Sequence, residues 1–152
     1  MNAPRRLLTF QLDGQSFGVA LECVERVVRA AEVTPLPRAP EVVLGVINFQ
    51  GRILPAVAPR RRFGLPERPV LLSDQFLLAR TPRRTLAMLI DAVTGLREYA
   101  EQDRIAAVDI AAGTTQFAGA LRLEDGLILI QDLERFFSID EERSLDEALA
   151  RA

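Results

Sequence analysis

The chain has no histidine, no lysine and no tryptophan, and only one cysteine among its 152 residues. Without histidine there can be no imidazole proton shuttle, no Ser-His or Cys-His nucleophile and no His-ligated metal. A single thiol, Cys23, excludes an intramolecular disulfide, and its place in an apolar pattern reads as a small buried hydrophobe. No run reaches the roughly 20 apolar residues of a membrane helix. Met1 to Arg6 is not followed by a signal-peptide apolar stretch, and these two absences together predict a soluble, cytoplasmic protein. Charge of one sign is also lacking: a net charge of −2 gives no global field with which to recruit phosphates. That every basic residue is Arg reads as a trace of genomic base composition. Neither a GxGxxG nor a GxxxxGK phosphate cradle occurs, so no cofactor is expected.

What is present is apolar and β-rich. Nearly half the residues are hydrophobic (49%), which favours a folded body, and the length suits one domain. Phe10 and Leu12, then Phe17, Val19 and Leu21, alternate with polar residues on either side of Asp13-Gly14, predicting a hairpin over 7–21 with period-two burial. Cys23, Val24, Val27 and Val28 stand at helical spacing, but their β-branching favours a short helical piece that soon becomes strand. Pro35, Pro37 and Pro40 make Thr34 to Pro40 an ordered strap that is neither helix nor strand. Val42 to Phe49 and Ile53 to Val57 flank a tight turn at Gln50-Gly51, a second hairpin. Further strands are expected at 76–79, 86–90, 96–108, 118–123 and 127–130, and an amphipathic helix at about 144–151 capped by Ser144.

In TPLPRAPEVVLGVINFQGRILPAVAPRRRFG, residues 34–64, the pattern PLPxAPxxxxGVxNxxGxxLPxVxxRxRFG resembles the CheW family, the scaffold adaptors of bacterial chemosensory arrays. Leu8 to Leu21 resembles the family's opening hairpin, Leu89 to Leu96 its VDxVxxV element, and Ala118 to Ala120 with Leu127 to Glu134 its closing strands, so the likeness runs from about Leu7 to Phe137. It implies an all-β fold with short helices: two small five-stranded SH3-like barrels side by side, one over about 7–65 and the other over about 70–137, within one domain. It also implies a non-catalytic adaptor that couples the cytoplasmic helical tip of a chemoreceptor to the regulatory domain of a CheA-type histidine kinase at receptor arrays. Val24, Val27, Asn48, Gly51 and Leu54 match family positions at or near the receptor-facing groove.

The chain departs from the family where charge is expected. The acid two residues after Val24 is replaced by Arg26, and the Arg before the turn glycine by Gln50, so that pair cannot form a bidentate contact. Arg52 points to the same strand face as Gln50 and is the candidate substitute. The family's Asp-Leu after the hairpin is Ala58-Pro59. Such departures also fit a divergent adaptor that binds receptor without coupling to the kinase.

Two rival readings come from other classes. Asp91, Asp132, Asp109 and Asp103 lie beside apolar strands; Asp91 or Asp132 in an inter-barrel cleft would serve a small enzyme or ligand-binding barrel, although both read more simply as caps for backbone donors at strand ends. Arg60-Arg61-Arg62 with Arg83-Arg84 would be the basic patch of a nucleic-acid binder, but interleaved aromatics for base stacking are lacking.

Overall fold

The computed structural model describes residues 4–106, 117–124 and 126–151. Eleven strands are described: β1 (Arg5–Leu12), β2 (Gln15–Ala20), β3 (Val24–Arg29), β4 (Val43–Phe49), β5 (Arg52–Val57), β6 (Gln75–Arg80), β7 (Thr85–Ile90), β8 (Ala92–Tyr99), β9 (Ile105–Ala106), β10 (Phe117–Leu123) and β11 (Gly126–Gln131). They form a six-stranded sheet in the order β8-β1-β2-β11-β10-β9 and a five-stranded sheet in the order β3-β6-β7-β5-β4. Both sheets are antiparallel except where β2 meets β11 and β5 meets β7.

The sheets take the chain differently from the 7–65 and 70–137 halves expected from the sequence. The five-stranded sheet is built from one continuous stretch, 24–90, while the six-stranded sheet gathers the first hairpin and the strands after residue 91. Hairpin patterning specifies which strands are neighbours in sequence, but not which sheet a finished hairpin joins. That choice is made by non-local pairing, Leu8 opposite Leu96 on one side of the hairpin and Phe17 beside Leu129 on the other.

Among the described residues three apolar clusters hold the molecule. Ile47, Leu54, Phe76 and Leu78 fill the five-stranded unit, and Leu7, Leu121, Ile128 and Ile130 fill the six-stranded one. The largest cluster is the seam between them, where Phe10 and Phe17 of one sheet meet Leu77 and Met88 of the other. This arrangement explains why the expected alternation fails at Leu7 to Phe10, four consecutive buried residues. β1 lies between a barrel interior and the seam, so both its faces are covered. Thr9 adapts to burial by donating to the Gly95 carbonyl at 3.1 Å.

Between the sheets runs α1 (Pro59–Phe63), with proline at its first position and Gly64 closing it at φ +70°. Five residues are too few for a periodicity signal. Phe63 nonetheless sits 4.9 Å, centroid to centroid, from both Phe17 and Phe117. The last helix, α2 (Ile139–Ala150), begins five residues earlier than expected. Its cap is Ser138, in a reciprocal capping box with Glu141; Ser144 lies inside the helix, where its hydroxyl caps nothing. Leu145 and Ala148 dock α2 on the seam.

The strap is ordered as expected. Thr34 exchanges two backbone hydrogen bonds of 2.8 Å with Val46 on the edge strand β4. This close approach requires glycine at position 45, because a Cβ there would stand 2.1 Å from the Thr34 carbonyl oxygen.

Candidate functional site

The expected site residues converge where the five-stranded sheet curls shut. β3 and β4 are its two edges, yet the Arg26 guanidinium on β3 lies 5.6 Å from the centre of the Phe49 ring on β4, a cation–π contact. The β4–β5 turn has both central residues at positive φ, Gln50 at +50° and Gly51 at +86°, the conformation that matches strand twist in a two-residue hairpin. Asn48 secures the turn, its Oδ1 accepting from the Gly51 amide at 2.9 Å.

Beside this turn lies a charged network. A register shift between Val24 and Arg26 puts a bulge at Glu25, which re-aims that side chain. Arg52 donates to Glu25 Oε2 at 3.0 Å and to Thr85 Oγ1 at 3.2 Å, and Thr85 donates to Glu25 Oε1 at 3.0 Å. Arg80 stands 3.9 Å from the same carboxylate. The hydrogen bond from Arg52, with help from Thr85, holds the Glu25 carboxyl below the usual carboxylate range. Three strands, β3, β5 and β7, are thereby locked at one end of the barrel.

The family's Arg–carboxylate pair, which Arg26 and Gln50 cannot make, thus has a counterpart one residue back and two residues on, between Glu25 and Arg52. Glu25, Thr85 and Phe49 were not among the residues singled out from sequence. Opposite charges at 25 and 52 are visible there, but the bulge that brings them together is not.

The eight expected residues divide by burial. Arg26, Asn48, Gln50, Gly51 and Arg52 are exposed, Val24 and Val27 are half-buried against the seam, and Leu54 is only 5% exposed inside the barrel. Leu54 therefore sets the hairpin's position from within, whereas its neighbour Ile53, 57% exposed, presents the apolar surface. Ala58 is also interior: it precedes α1 and its amide donates to the Val42 carbonyl. The loss of the family's charge at 58 leaves the outer surface of the hairpin untouched.

A second arginine network is partly buried. Arg60 donates twice to Asp91, at 3.0 and 2.8 Å, and once to the Pro66 carbonyl at 2.6 Å. Arg68 donates to both oxygens of Asp74, at 2.8 and 2.7 Å, and to Asp91 at 2.8 Å. Asp91 also accepts from the Asp13 amide in the β1–β2 turn, so the network joins the two sheets. The Arg68 hydrogen bond holds the Asp74 carboxyl below its ordinary value.

These pairings use up the groups on which the rival readings relied. Asp91 is occupied by two arginines and a backbone donor, and Asp132 accepts from the Glu134 amide at 3.0 Å to cap a short turn. Asp103 lies exposed in another short turn, and Asp109 lies outside the described residues. Of the basic run, Arg60 pairs with Asp91, Arg61 with Glu67, and Arg62 with Glu141 at 2.6 Å while lying over Phe136. Arg84 pairs with Glu142 and Asp146 of α2. Among the described residues no helix is long and apolar enough to cross a membrane.

One cleft of about 530 Å³ opens beside the site, with Cys23, Arg80, Tyr99, Gln131, Asp132 and Leu133 in its walls. Burial, and then the Glu22 charge, push the Cys23 thiol up, away from thiolate reactivity.

Residues 6–141 match the family model described as CheW-like domain. The chain is 31% identical to the chemotaxis protein CheW of Rhizobium meliloti (strain 1021), the alignment covering 92% of each. It is 25% identical to that of Treponema pallidum (strain Nichols), over 92% of this chain and 86% of the relative. Its fold matches the crystal structure of the scaffolding protein TtCheW from Thermoanaerobacter tengcongensis with a TM-score of 0.81, at 24% identity, over 91% of this chain and 96% of that one.

Proposed function

This chain belongs to the CheW-like domain family, a family of non-catalytic scaffolds, and from that premise we propose that it is the adaptor of a bacterial chemosensory system, joining the helical tip of a methyl-accepting chemoreceptor to the regulatory domain of a CheA-type histidine kinase. The observation that carries the reading is the network of Glu25, Arg52 and Thr85 with Arg26 over Phe49. It is exposed, held rigid by three strands, and stands where the family likeness puts receptor-facing residues. A preorganised charged rim beside the apolar residues Val24, Val27 and Ile53 suits the side of an amphipathic helix, with apolar contacts giving affinity and charges fixing register.

In this reading the adaptor does no bond chemistry; it changes kinase output by position. The Arg–carboxylate pair re-formed at Glu25 and Arg52 supports retained coupling over a receptor-only variant, since the motif has moved by one or two residues without vanishing. Reconstitution of receptor-bearing membranes, kinase and this protein tests it. Kinase autophosphorylation should rise at least tenfold on adding the third component. Kinase output that stays flat while the folded protein co-sediments with receptor would favour the receptor-only variant, and no co-sedimentation would refute the adaptor reading.

A further inference from the structure

α2 rests on the body through a small apolar footprint and a row of arginines. A helix of 12 residues is marginal in water by itself, so its order depends on docking. Leu145 and Ala148 are buried in the seam cluster, with Leu149 beside them. The other contacts are ionic. Glu141 accepts from Arg62 of α1 at 2.6 Å, and Glu142 accepts from Arg84 at 2.8 Å. Asp146 pairs with Arg84 and stands 3.8 Å from Arg83. The side chains of Arg84 and Glu142 are 13% and 12% exposed, so removing either leaves the other a largely desolvated charge.

Two of these arginines belong to the β6–β7 turn, which also faces the 530 Å³ cleft. Thr81 fixes that turn. Its amide and its hydroxyl both donate to the Arg84 carbonyl, at 2.8 and 3.0 Å, and its Oγ1 accepts from the amides of Arg83 and Arg84, at 3.3 and 3.1 Å. Residues so tied move together. Pro82, between them, stands in the wall of the 530 Å³ cleft and of a neighbouring cleft of about 320 Å³, whose walls include Ile139 and Glu142 of α2. Both clefts also share Leu133 and Glu134. Arg80, in the wall of the larger one, stands 3.9 Å from the Glu25 carboxylate of the proposed partner surface. One furrow thus runs from that surface to the first turn of α2, and docked α2 completes it.

We propose that α2 is a latch. It docks and undocks as a unit while the two sheets stay folded, Arg62, Arg83 and Arg84 set its docked population, and the β6–β7 turn couples that population to a partner's helix seated in the furrow. The identity of the occupant rests on the adaptor reading; the latch does not. A partner that fits the furrow of the docked state shifts the population toward docking, and by linkage docking strengthens partner binding. A scaffold that does no bond chemistry thereby gains a two-state element.

The test is hydrogen–deuterium exchange of the full-length protein, comparing the amides of Leu145 to Ala150 in α2 with those of β7. The expected result is protection of α2 at least tenfold below that of β7, because a unit that opens locally exchanges without global unfolding. In Arg84→Gln the protection of α2 should fall at least tenfold further, while that of β7 changes less than threefold. If that variant lowers the folded fraction, Asp146→Asn, at a side chain 49% exposed, replaces it with an expected fall of at least threefold. Pro82→Gly, which loosens the turn on its cleft side, should lower α2 protection at least threefold. A chemoreceptor helical-tip fragment at about twenty times its Kd should raise α2 protection at least tenfold, since a ligand that binds the docked state alone favours it by the factor 1 + [L]/Kd. Protection of α2 equal to that of β7, or unmoved by the loss of its ionic contacts, overturns the latch. Protection that ignores Pro82→Gly, or that the bound fragment leaves unchanged or lowers, overturns the coupling to the furrow. A fragment that does not bind the folded protein refutes the adaptor reading; the latch and its turn are still decided by the measurements on the protein alone.

Discussion

Two arginine–carboxylate networks sit in the five-stranded half of the molecule, built from the same chemistry and put to different ends. Around Arg60 and Arg68 two groups are withdrawn from water, the side chains of Asp74 and Arg60 being 2% and 10% exposed, while Arg68 and Asp91 are half-buried. Around Glu25 and Arg52 the arginine is 49% exposed. In the first network each charge is committed to several partners and ties the β1–β2 turn to the loop before β6. In the second the charges are fixed in position but remain reachable. Burial, not residue type, decides whether such a pair holds the fold together or faces a partner, because a desolvated charge that loses its partner has no water to fall back on.

That contrast can be broken most forcefully from the interior side. Asp74→Ala removes the carboxylate on which both Arg68 nitrogens and the Leu71 amide depend, and should cost about 3 kcal/mol or more of unfolding free energy in urea titration. A loss under about 1 kcal/mol would erase the distinction between the networks. Next in size is Gly45→Ala, which drives a Cβ into the Thr34 carbonyl; about 2 kcal/mol should be lost, together with hydrogen-exchange protection of the Thr34 and Val46 amides.

Acid should weaken the Asp74 network. The Asp74 carboxyl is depressed by Arg68, so its contribution is complete above the ordinary aspartate value of ~3.9 and fades as the pH falls through the lower folded-state value. Thermal unfolding followed from pH 6 to pH 2 should show a fall in Tm at the acid end that is shallower in Asp74→Asn, which has no charge to lose. Equal slopes would contradict the assignment. The smallest effect on stability belongs to the exposed pair: Arg52→Ala and Glu25→Ala should each cost under about 1 kcal/mol, with a double-mutant cycle showing coupling only in part of that.

Much of this architecture was readable in the chain, and the exceptions have physical causes. The two hairpins, the strap and the Asp13-Gly14 and Gln50-Gly51 turns are local structures written in period-two alternation and in positive-φ residues, and each is present. The partition of strands between sheets was not readable, since pairing of β1 with β8 and of β2 with β11 joins residues some 80 to 110 positions apart in sequence and leaves no local mark. The start of α2 was misplaced because Ser138 and Ser144 each precede an apolar residue and each have a glutamate three positions on, Glu141 and Glu147; only Ser138 closes a capping box.

The site was legible in outline and wrong in detail for related reasons. Turn chemistry marked Gln50-Gly51 as a hairpin turn, the family likeness located Val24, Val27, Asn48, Gly51 and Leu54, and departures from the family pattern drew in Arg26, Gln50 and Arg52. The pair that forms, Glu25 with Arg52, depends on a bulge, and a bulge shifts every side chain after it to the other face. Leu54 was chosen by family likeness but points inward, as the alternation of exposed Ile53 and buried Leu54 records.

The most direct test of the account is a calorimetric titration of a chemoreceptor helical-tip fragment from the same organism into the wild-type protein and into Arg52→Ala, with Tm measured on both. The account predicts binding in the micromolar range or tighter for wild type, at least tenfold weaker binding for Arg52→Ala, and nearly equal Tm values. Equal affinities for the two folded proteins, or no binding by wild type, would contradict the claim that the exposed network is a contact surface.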